Sequence, residues 1–143
     1  MKTPPYALSV TAAARAIAKG ELTAEALVES CLGRIAEREP AVHAFVHLDA
    51  DAARAAARSL DQGPRKGPLH GIPVGIKDII DTADMPTECN SPIYKGHRPA
   101  KDAACVARLR QAGAIVLGKT VTTEFASSVA GPTRHPRDPQ RTP

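Results

Sequence analysis

One lysine stands where lysine is unexpected. Residues 71–81, GIPVGIKDIID, set Lys77 inside an otherwise apolar run. The apolar neighbours are Ile72, Val74, Ile76 and Ile79. Burial among apolar groups disfavours the charged form of a lysine, and a neutral amine can accept a proton. The sequence leaves two interpretations open: Lys77 is a buried base, or it ends a strand and its ammonium faces solvent or pairs with Asp78 or Asp81.

A second lysine lies in a segment with the letters of a phosphate-binding loop. Residues 113–120, GAIVLGKT, match G-x-x-x-x-G-K-T and include Lys119. A phosphate loop needs a strand before its first glycine, a flexible loop between the glycines and a helix after the threonine. Here a predicted helix precedes Gly113, and the intervening AIVL favours a buried strand. We therefore predict no nucleotide site, a helix C-cap at Gly113, and a structural or solvated Lys119.

Three cysteines offer no metal or disulfide pattern. Cys31, Cys89 and Cys105 are far apart, form no C-x-x-C pair and have no histidine at metal-ligand spacing. They are predicted to be free thiols. Cys31 and Cys105 fall on the apolar faces of predicted helices, where a small core residue is expected. The role of Cys89, in a polar loop, stays open.

Composition fits one ordinary globular domain. The chain has 143 residues and a formal net charge of +4, with its basic residues spread among acidic ones. This distribution argues against a nucleic-acid partner. No apolar run reaches the ~20 residues that a membrane span needs, and the first ten residues are too weakly apolar for a signal peptide. We expect no membrane association and a cytoplasmic location.

Helical periodicity dominates the first 62 residues. Helices are predicted from Ser9 to Lys19, from the N-cap Thr23 to just before Pro40, and over residues 51–60. The predicted buried faces are Leu27, Val28, Cys31, Leu32 and Ile35 on the second helix and Ala53, Ala56, Ala57 and Leu60 on the third. Between them, the alternation in residues 41–48 predicts a short strand or an extended connector.

The pattern changes after the break DQGPRKGP. Two short apolar runs, residues 72–76 and 114–117, flank a polar loop over 82–101 and a predicted helix over 102–112. Strand, crossover and strand are typical of a βαβ unit, and unalternating apolar runs predict strands covered on both faces. The last residues, 131–143, hold four prolines and are predicted to be loop. The fold class predicted is α/β.

Three ordered segments resemble a known family. GPLHGIPVGIKDIIDTADMPTECNS, AGAIVLGKTVTTEFA and GPTRHPRDPQRTP follow each other as in the N-terminal part of the amidase signature family. The opening GELTAEALVESCLGRIAEREPAVHAFV is also similar to that family. The resemblance implies N-terminal helices plus the first strands of a mixed sheet flanked by helices, and a Ser–cis-Ser–Lys triad whose lysine is Lys77.

The same resemblance implies how the chain is organised and what it binds. It implies a small-molecule amide substrate and no cofactor or metal, and it leaves a homodimer of the full-length enzyme open. The family places both serines after the segment that matches 131–143, so Ser91, Ser127 and Ser128 receive no nucleophile role. We therefore expect an N-terminal fragment of one amidase domain that is inactive alone. Its parts would be a helical region over 1–62, the start of the α/β core over 63–131, and a Pro-rich loop over 132–143.

Two alternatives remain. The first is an amidotransferase subunit that releases ammonia from glutamine for tRNA-dependent amidation. Against it, only SSVA connects TTEFA to GPTR, and GKTVTTEFA resembles the general amidases more. The second is a noncatalytic α/β module in which Lys77 is solvated.

Overall fold

The structure is a computed structural model that describes residues 3–143. Helices and strands alternate along it, which agrees with the predicted α/β class. The helices are α1 (Val10–Ala18), α2 (Ala24–Val42), α3 (Ala50–Gln62) and α4 (Ala104–Gln111); the strands are β1 (Phe45–Leu48), β2 (Pro73–Lys77) and β3 (Ile115–Thr120). Three single-turn 3-10 helices cover Pro5–Ala7, Pro92–Tyr94 and Glu124–Ala126.

Side-chain caps fix the first helices where the sequence predicts them. The Ser9 hydroxyl accepts from the backbone N–H of Ala12, and the Thr23 hydroxyl accepts from that of Ala26. Asp61, near the end of α3, adds a second cap to α2, because its two carboxylate oxygens accept from the N–H groups of Ala24 and Glu25 at 2.7 and 3.0 Å. These bonds satisfy donors that a helix start leaves unpaired.

The predicted end of α2 is wrong. Pro40 lies inside the helix, which continues to Val42. A proline inside a helix lacks the N–H donor and crowds the carbonyl four residues earlier, but the chain beyond Pro40 remains paired. The N–H of His43 donates to the Glu39 carbonyl at 2.9 Å and that of Phe45 to the Glu39 carboxylate at 2.8 Å. These two bonds retain the last turn and lead directly into β1.

The strands form one sheet in the order β1-β3-β2. β1 pairs antiparallel with β3 through partners that include Leu48 and Gly118. At the start of the β2–β3 pair the N–H of Ile115 donates to the Ile72 carbonyl, and at its end the N–H of Asp78 donates to the Thr120 carbonyl. Both strands advance together between these bonds, so the pair is parallel and α4 is the predicted crossover. Lys77 therefore ends a strand within a mixed sheet.

The described chain divides into two compact units. Of the described residues, the first unit, here the helical unit, comprises 3–36, 49–74 and 108–117. The second, here the loop unit, comprises 37–48, 75–107 and 118–143. The helical unit contains two apolar clusters. One consists of Ala24, Val28, Leu32, Ala53, Ala57, Leu60, Ile115 and Leu117, and the other of Ala13, Leu27 and Ile72, with Cys31 packed against both. The predicted face of α2 is thereby confirmed.

Hydrogen bonds connect the last segment of the loop unit to the end of α2. Residues 131–143 contain no helix or strand, as predicted, but they are not loose. The Thr133 hydroxyl donates to the His43 carbonyl at 2.7 Å, the N–H of Arg134 donates to the Val42 carbonyl, and the Arg38 guanidinium donates to the Pro136 carbonyl. The Pro-rich segment is thus anchored on the end of α2.

Three predictions of burial are wrong. Ala56 on α3 is exposed, because the buried side of that helix is narrower than the alanine pattern suggests. Cys105 is exposed at the start of α4. β3 is buried along its length apart from its last residue, but β2 is not covered on both faces, since Gly75 and Lys77 are exposed.

Candidate active site

Lys77 is the last residue of β2, and its side chain is exposed. The structure thus agrees with the interpretation in which Lys77 ends a strand and meets solvent. Its position is the carboxyl end of a strand in a parallel pair, which is where ligand sites of α/β sheets form.

The apolar neighbours in the sequence do not surround Lys77. Side chains along a strand alternate between faces, so Ile72, Val74 and Ile76 point away from the face of Lys77. Ile76 is buried on the other face, and Ile79, in the turn that follows β2, is itself 37% exposed. The hypothesis that these residues bury the lysine is therefore wrong for the described chain, because residues close in sequence lie on opposite sides of the strand.

A depression of about 400 Å³ lies beside Lys77. Its walls are short side chains and small residues whose surface is mostly apolar, and hydroxyl groups and the Lys77 amine are the polar features. The lining residues are Lys77, Val121, Thr122, Thr123, Ser128, Ala130, Gly131, Thr133, Thr142 and Pro143. The end of the anchored Pro-rich segment therefore reaches the same depression as Lys77.

The buried lysine of this unit is Lys119, not Lys77. Lys119 has no exposed surface and lies on β3. Its ammonium donates to the Thr87 hydroxyl at 2.5 Å and to the Pro86 carbonyl at 3.0 Å, and it pairs with the Asp78 carboxylate at 3.3 Å. Burial lowers the pKa of Lys119, and the Asp78 carboxylate opposes that shift. Of the two predicted alternatives for Lys119, the structural one is correct, because the side chain has no contact with solvent.

Asp78 is tied to its surroundings on every side. Its carboxylate accepts from the N–H of Glu88 at 3.2 Å, and its carbonyl accepts from the N–H of Cys89 at 3.0 Å. Its own N–H donates to the Thr120 carbonyl at 2.8 Å. The sequence predicts Asp78 only as a partner for Lys77. The available indication of the Asp78–Lys119 pair is that each residue lies two positions past an apolar strand pattern, Asp78 after residues 72–76 and Lys119 after residues 114–117.

The phosphate-loop pattern is rejected by the structure as well. α4 precedes Gly113, the letters AIVL fall mostly on β3, and Lys119 points into protein instead of solvent. Gly113 has φ of 93°, and its N–H donates to the Arg110 carbonyl, as expected for the glycine that follows a helix. A Cβ here would come within 2.7 Å of the His70 Cα, so glycine is required.

Of the serines and the loop cysteine considered in the sequence, Ser128 borders the depression of Lys77, although the sequence assigned it no role. Ser91 is buried and its hydroxyl donates to the Glu124 carboxylate at 2.8 Å, while the Ser127 hydroxyl donates to the Glu124 carbonyl. Cys89 is buried, and burial together with the negative charge of Asp78 raises the pKa of its thiol, which makes it a poor nucleophile.

Metal-ligating side chains do not cluster in the described chain. Within residues 3–143, no group of three or more His, Cys, Asp or Glu side chains is arranged to hold a metal ion. Over the same residues, no helix combines the length and the apolar character needed to cross a membrane.

Comparison with known proteins decides the family. The model of the Amidase family matches residues 26–143. The chain belongs to the Amidase family. The resemblance carried by the three sequence segments is thereby confirmed, and the match includes Lys77 and Lys119.

This chain is similar both to curated protein sequences and to solved structures. Among curated sequences, a glutamyl-tRNA(Gln) amidotransferase subunit of Chloroflexus aurantiacus is 46% identical, over 99% of this chain and 31% of that protein. Among solved structures, the peptide amidase of Stenotrophomonas maltophilia matches with a TM-score of 0.79 at 39% identity, over 86% of this chain and 26% of that one. A chain from a vestigial protein complex, studied for the evolutionary origins of an s-triazine catabolic enzyme, has a TM-score of 0.87 at 30% identity, over 94% and 32%.

The chain spans between about a quarter and a third of the length of these relatives. The alignment to the Chloroflexus protein is 151 positions long, more than the 143 residues of this chain, so that protein contains residues for which this chain has no counterpart. This agrees with a shortened connection somewhere in the chain relative to the Chloroflexus protein.

Proposed function

We propose that this chain supplies the lysine base, Lys77, of an amidase that converts a carboxylic amide to an acid plus ammonia or an amine. One observation carries the proposal: Lys77 is exposed at the carboxyl end of β2 and borders a depression with Thr122, Thr123 and Ser128. An amine at that position can meet a substrate, whereas the fully enclosed Lys119 cannot.

The proposed chemistry uses Lys77 with two serines that the family resemblance places after the Pro-rich segment. The neutral amine of Lys77 takes the proton of the nucleophilic serine through the bridging serine. The serine oxygen bonds to the carbonyl carbon, the C–N bond breaks, and the proton passes to the leaving amine. Water then attacks the acyl-serine ester, so that the acid leaves and the serine regains its hydrogen.

The proposal requires a less solvated Lys77 than residues 3–143 provide. Burial favours the neutral amine that acts as a base, so we propose that the parts of the amidase domain that carry the serines close over the depression. The anchored segment supports this idea, because Thr142 and Pro143 already line the depression. We propose accordingly that residues 1–62, 63–131 and 132–143 are successive parts of one amidase domain.

The amidotransferase subunit is the second candidate. It is favoured by the 46% identity to the Chloroflexus protein, and it would use the same lysine to release ammonia from glutamine. The short connection over residues 127–130 and the 39% identity to a peptide amidase favour the general amidase. For either candidate we propose a small-molecule amide substrate and a cytoplasmic enzyme, with a homodimer as the assembly to test.

Two chimeras test the function. Residues 1–143 replace the matching part of the Stenotrophomonas peptide amidase in one and of the Chloroflexus amidotransferase protein in the other. Ammonia or amine release is measured with a peptide amide and with glutamine. We expect turnover of the peptide amide by the first chimera and a loss of about 100-fold to 10,000-fold in kcat for Lys77→Ala. Glutamine-dependent release by the second chimera together with an inactive first chimera would instead support the amidotransferase.

Lys101→Ala is the matched control, because Lys101 is an exposed lysine of the same unit. It should leave kcat within about twofold, as expected for a surface substitution away from the site. Circular dichroism of both variants confirms equal folding. Full activity of a folded Lys77→Ala chimera would refute the proposed role.

A further inference from the structure

The loop unit buries an ion pair immediately next to the proposed base. Asp78 follows Lys77 in the chain and is 2% exposed, and its partner Lys119 is completely enclosed. A buried ion pair often gives no more stability than apolar side chains of the same volume. Stability alone is therefore a weak explanation for this pair, and its position requires another.

The pair joins three segments at the end of β2. Asp78 directly follows Lys77 at the end of β2, and Lys119 lies on β3. The third segment is the loop with Pro86 and Thr87, both of which accept hydrogen bonds from the Lys119 ammonium. The same loop donates the N–H groups of Glu88 and Cys89 to Asp78.

The buried position of Asp78 fixes the direction in which the Lys77 side chain points. Because adjacent side chains point to opposite faces, fixing Asp78 in the interior directs Lys77 outward to the depression. The N–H of Asp78 is bonded to Thr120, next to Val121 and Thr122 of the depression wall. Through this bond the anchored Asp78 connects the Lys77 backbone to the end of β3 that leads into that wall.

We propose that Asp78, Lys119 and Thr87 form a positioning network that fixes Lys77 for its reaction. None of the three touches substrate; they act through the backbone of Lys77. This inference rests on the proposed function of Lys77 and adds the residues that orient it. Misplacement of a reacting group by about 1 Å can cost on the order of 100-fold in rate, so loss of the network should reduce kcat more than it changes KM.

Two variants test the network in the peptide amidase chimera. Thr87→Val removes one acceptor from Lys119 with little change of shape, and Asp78→Asn removes the charge that Lys119 pairs with. We expect kcat to fall about 10-fold to 100-fold in each while KM stays within about twofold.

Thr82→Val is the matched control. Thr82 is a fully buried threonine of the same loop whose hydroxyl donates to the Met85 carbonyl and not to the network. It should leave kcat within about twofold. If Thr82→Val lowered kcat as much as Thr87→Val, the network would serve only to fold the loop and the inference would be overturned.

A second readout needs no activity. The N–H groups of Glu88 and Cys89 both donate to Asp78, so their hydrogen exchange reports on the network. In the 143-residue chain this exchange should accelerate in Thr87→Val and stay unchanged in Thr82→Val. Unchanged exchange in Thr87→Val would contradict the network whether or not the chimera is active.

If Lys77→Ala is inactive but both network variants keep wild-type kcat, the positioning role fails and the proposed function of Lys77 stands. If Lys77→Ala is active, the proposed function fails.

Discussion

The two units of this chain use polar groups in opposite ways. In the helical unit the interior is aliphatic and the ion pairs lie on the surface, as in Arg54–Glu29 and Arg58–Glu25. In the loop unit the Asp78–Lys119 pair is inside. Of the described polar residues that are buried, all but His70 belong to the loop unit.

The backbone shows the same contrast. All described non-glycine residues with positive φ belong to the loop unit, whereas glycine fills such positions in the helical unit, as at Gly20 and Gly71. These residues are His43, Cys89, Asn90, Phe125 and Ala126. Positive φ costs free energy for residues with a Cβ and survives only where surrounding contacts enforce it. The helical unit therefore has an apolar interior, whereas the loop unit buries polar groups and holds residues with a Cβ at positive φ.

Breaking the buried ion pair should have the largest effect. Lys119→Met leaves the Asp78 carboxylate buried without its cation, so we expect the free energy of unfolding to fall by about 3–5 kcal/mol. Urea unfolding followed by circular dichroism measures this loss. The double variant Lys119→Met/Asp78→Asn removes both charges and should recover most of it.

A loss below about 1 kcal/mol in Lys119→Met would show that the pair behaves like a surface pair. An equal loss in the single and double variants would show that hydrogen bonds of Lys119 to Pro86 and Thr87, and not its charge, stabilise the loop unit. Either result would remove the electrostatic difference between the two units.

Removing the carboxylate that caps α2 should have an intermediate effect on the helical unit. Asp61→Ala leaves the N–H groups of Ala24 and Glu25 without their acceptors, and we expect a loss of about 0.5–2 kcal/mol in urea unfolding. Asp61→Asn keeps one side-chain oxygen and should lose less. If the two variants unfold alike at wild-type urea concentrations, the cap from α3 contributes nothing beyond that of Thr23.

Local patterns predicted the helical unit well and the site only in part. Caps, helical periodicity and β-branched runs are short-range properties, so the first helices, the βαβ unit and the face of α2 follow from them. The surroundings of Lys77 do not, because the apolar residues before it lie on the opposite face of β2 and Ile79 after it is exposed. Lys119 meets Asp78 and Thr87 only through pairing of β2 with β3 and through the fold of a long polar loop. Contacts between residues more than 30 positions apart leave no periodic pattern in a sequence.

The smallest effect is expected from the exposed pair of Arg54 and Glu29, which joins α3 to α2 at 2.6 Å. The hydrogen bond and charge of Arg54 lower the pKa of Glu29 below its ordinary value of 4.5. A lowered carboxyl pKa stabilises the folded state above the ordinary value, and this stabilisation is lost as pH falls through the lowered one. Because water screens exposed pairs, Arg54→Met should lower the midpoint temperature of unfolding only slightly at pH 7. It should not lower it at all once Glu29 and Asp51, the second carboxylate paired with Arg54 at 3.2 Å, are both protonated.

Arg65→Met supplies the comparison, since Arg65 is exposed and has no ion pair within residues 3–143. Its midpoint, measured by differential scanning calorimetry, should match that of the wild type at both pH values. A drop for Arg54→Met that persists at low pH would mean that the arginine stem contributes by packing on α2 instead of by charge. A drop at pH 7 as large as that of Lys119→Met would contradict the distinction between surface and interior ion pairs on which the comparison of the two units depends.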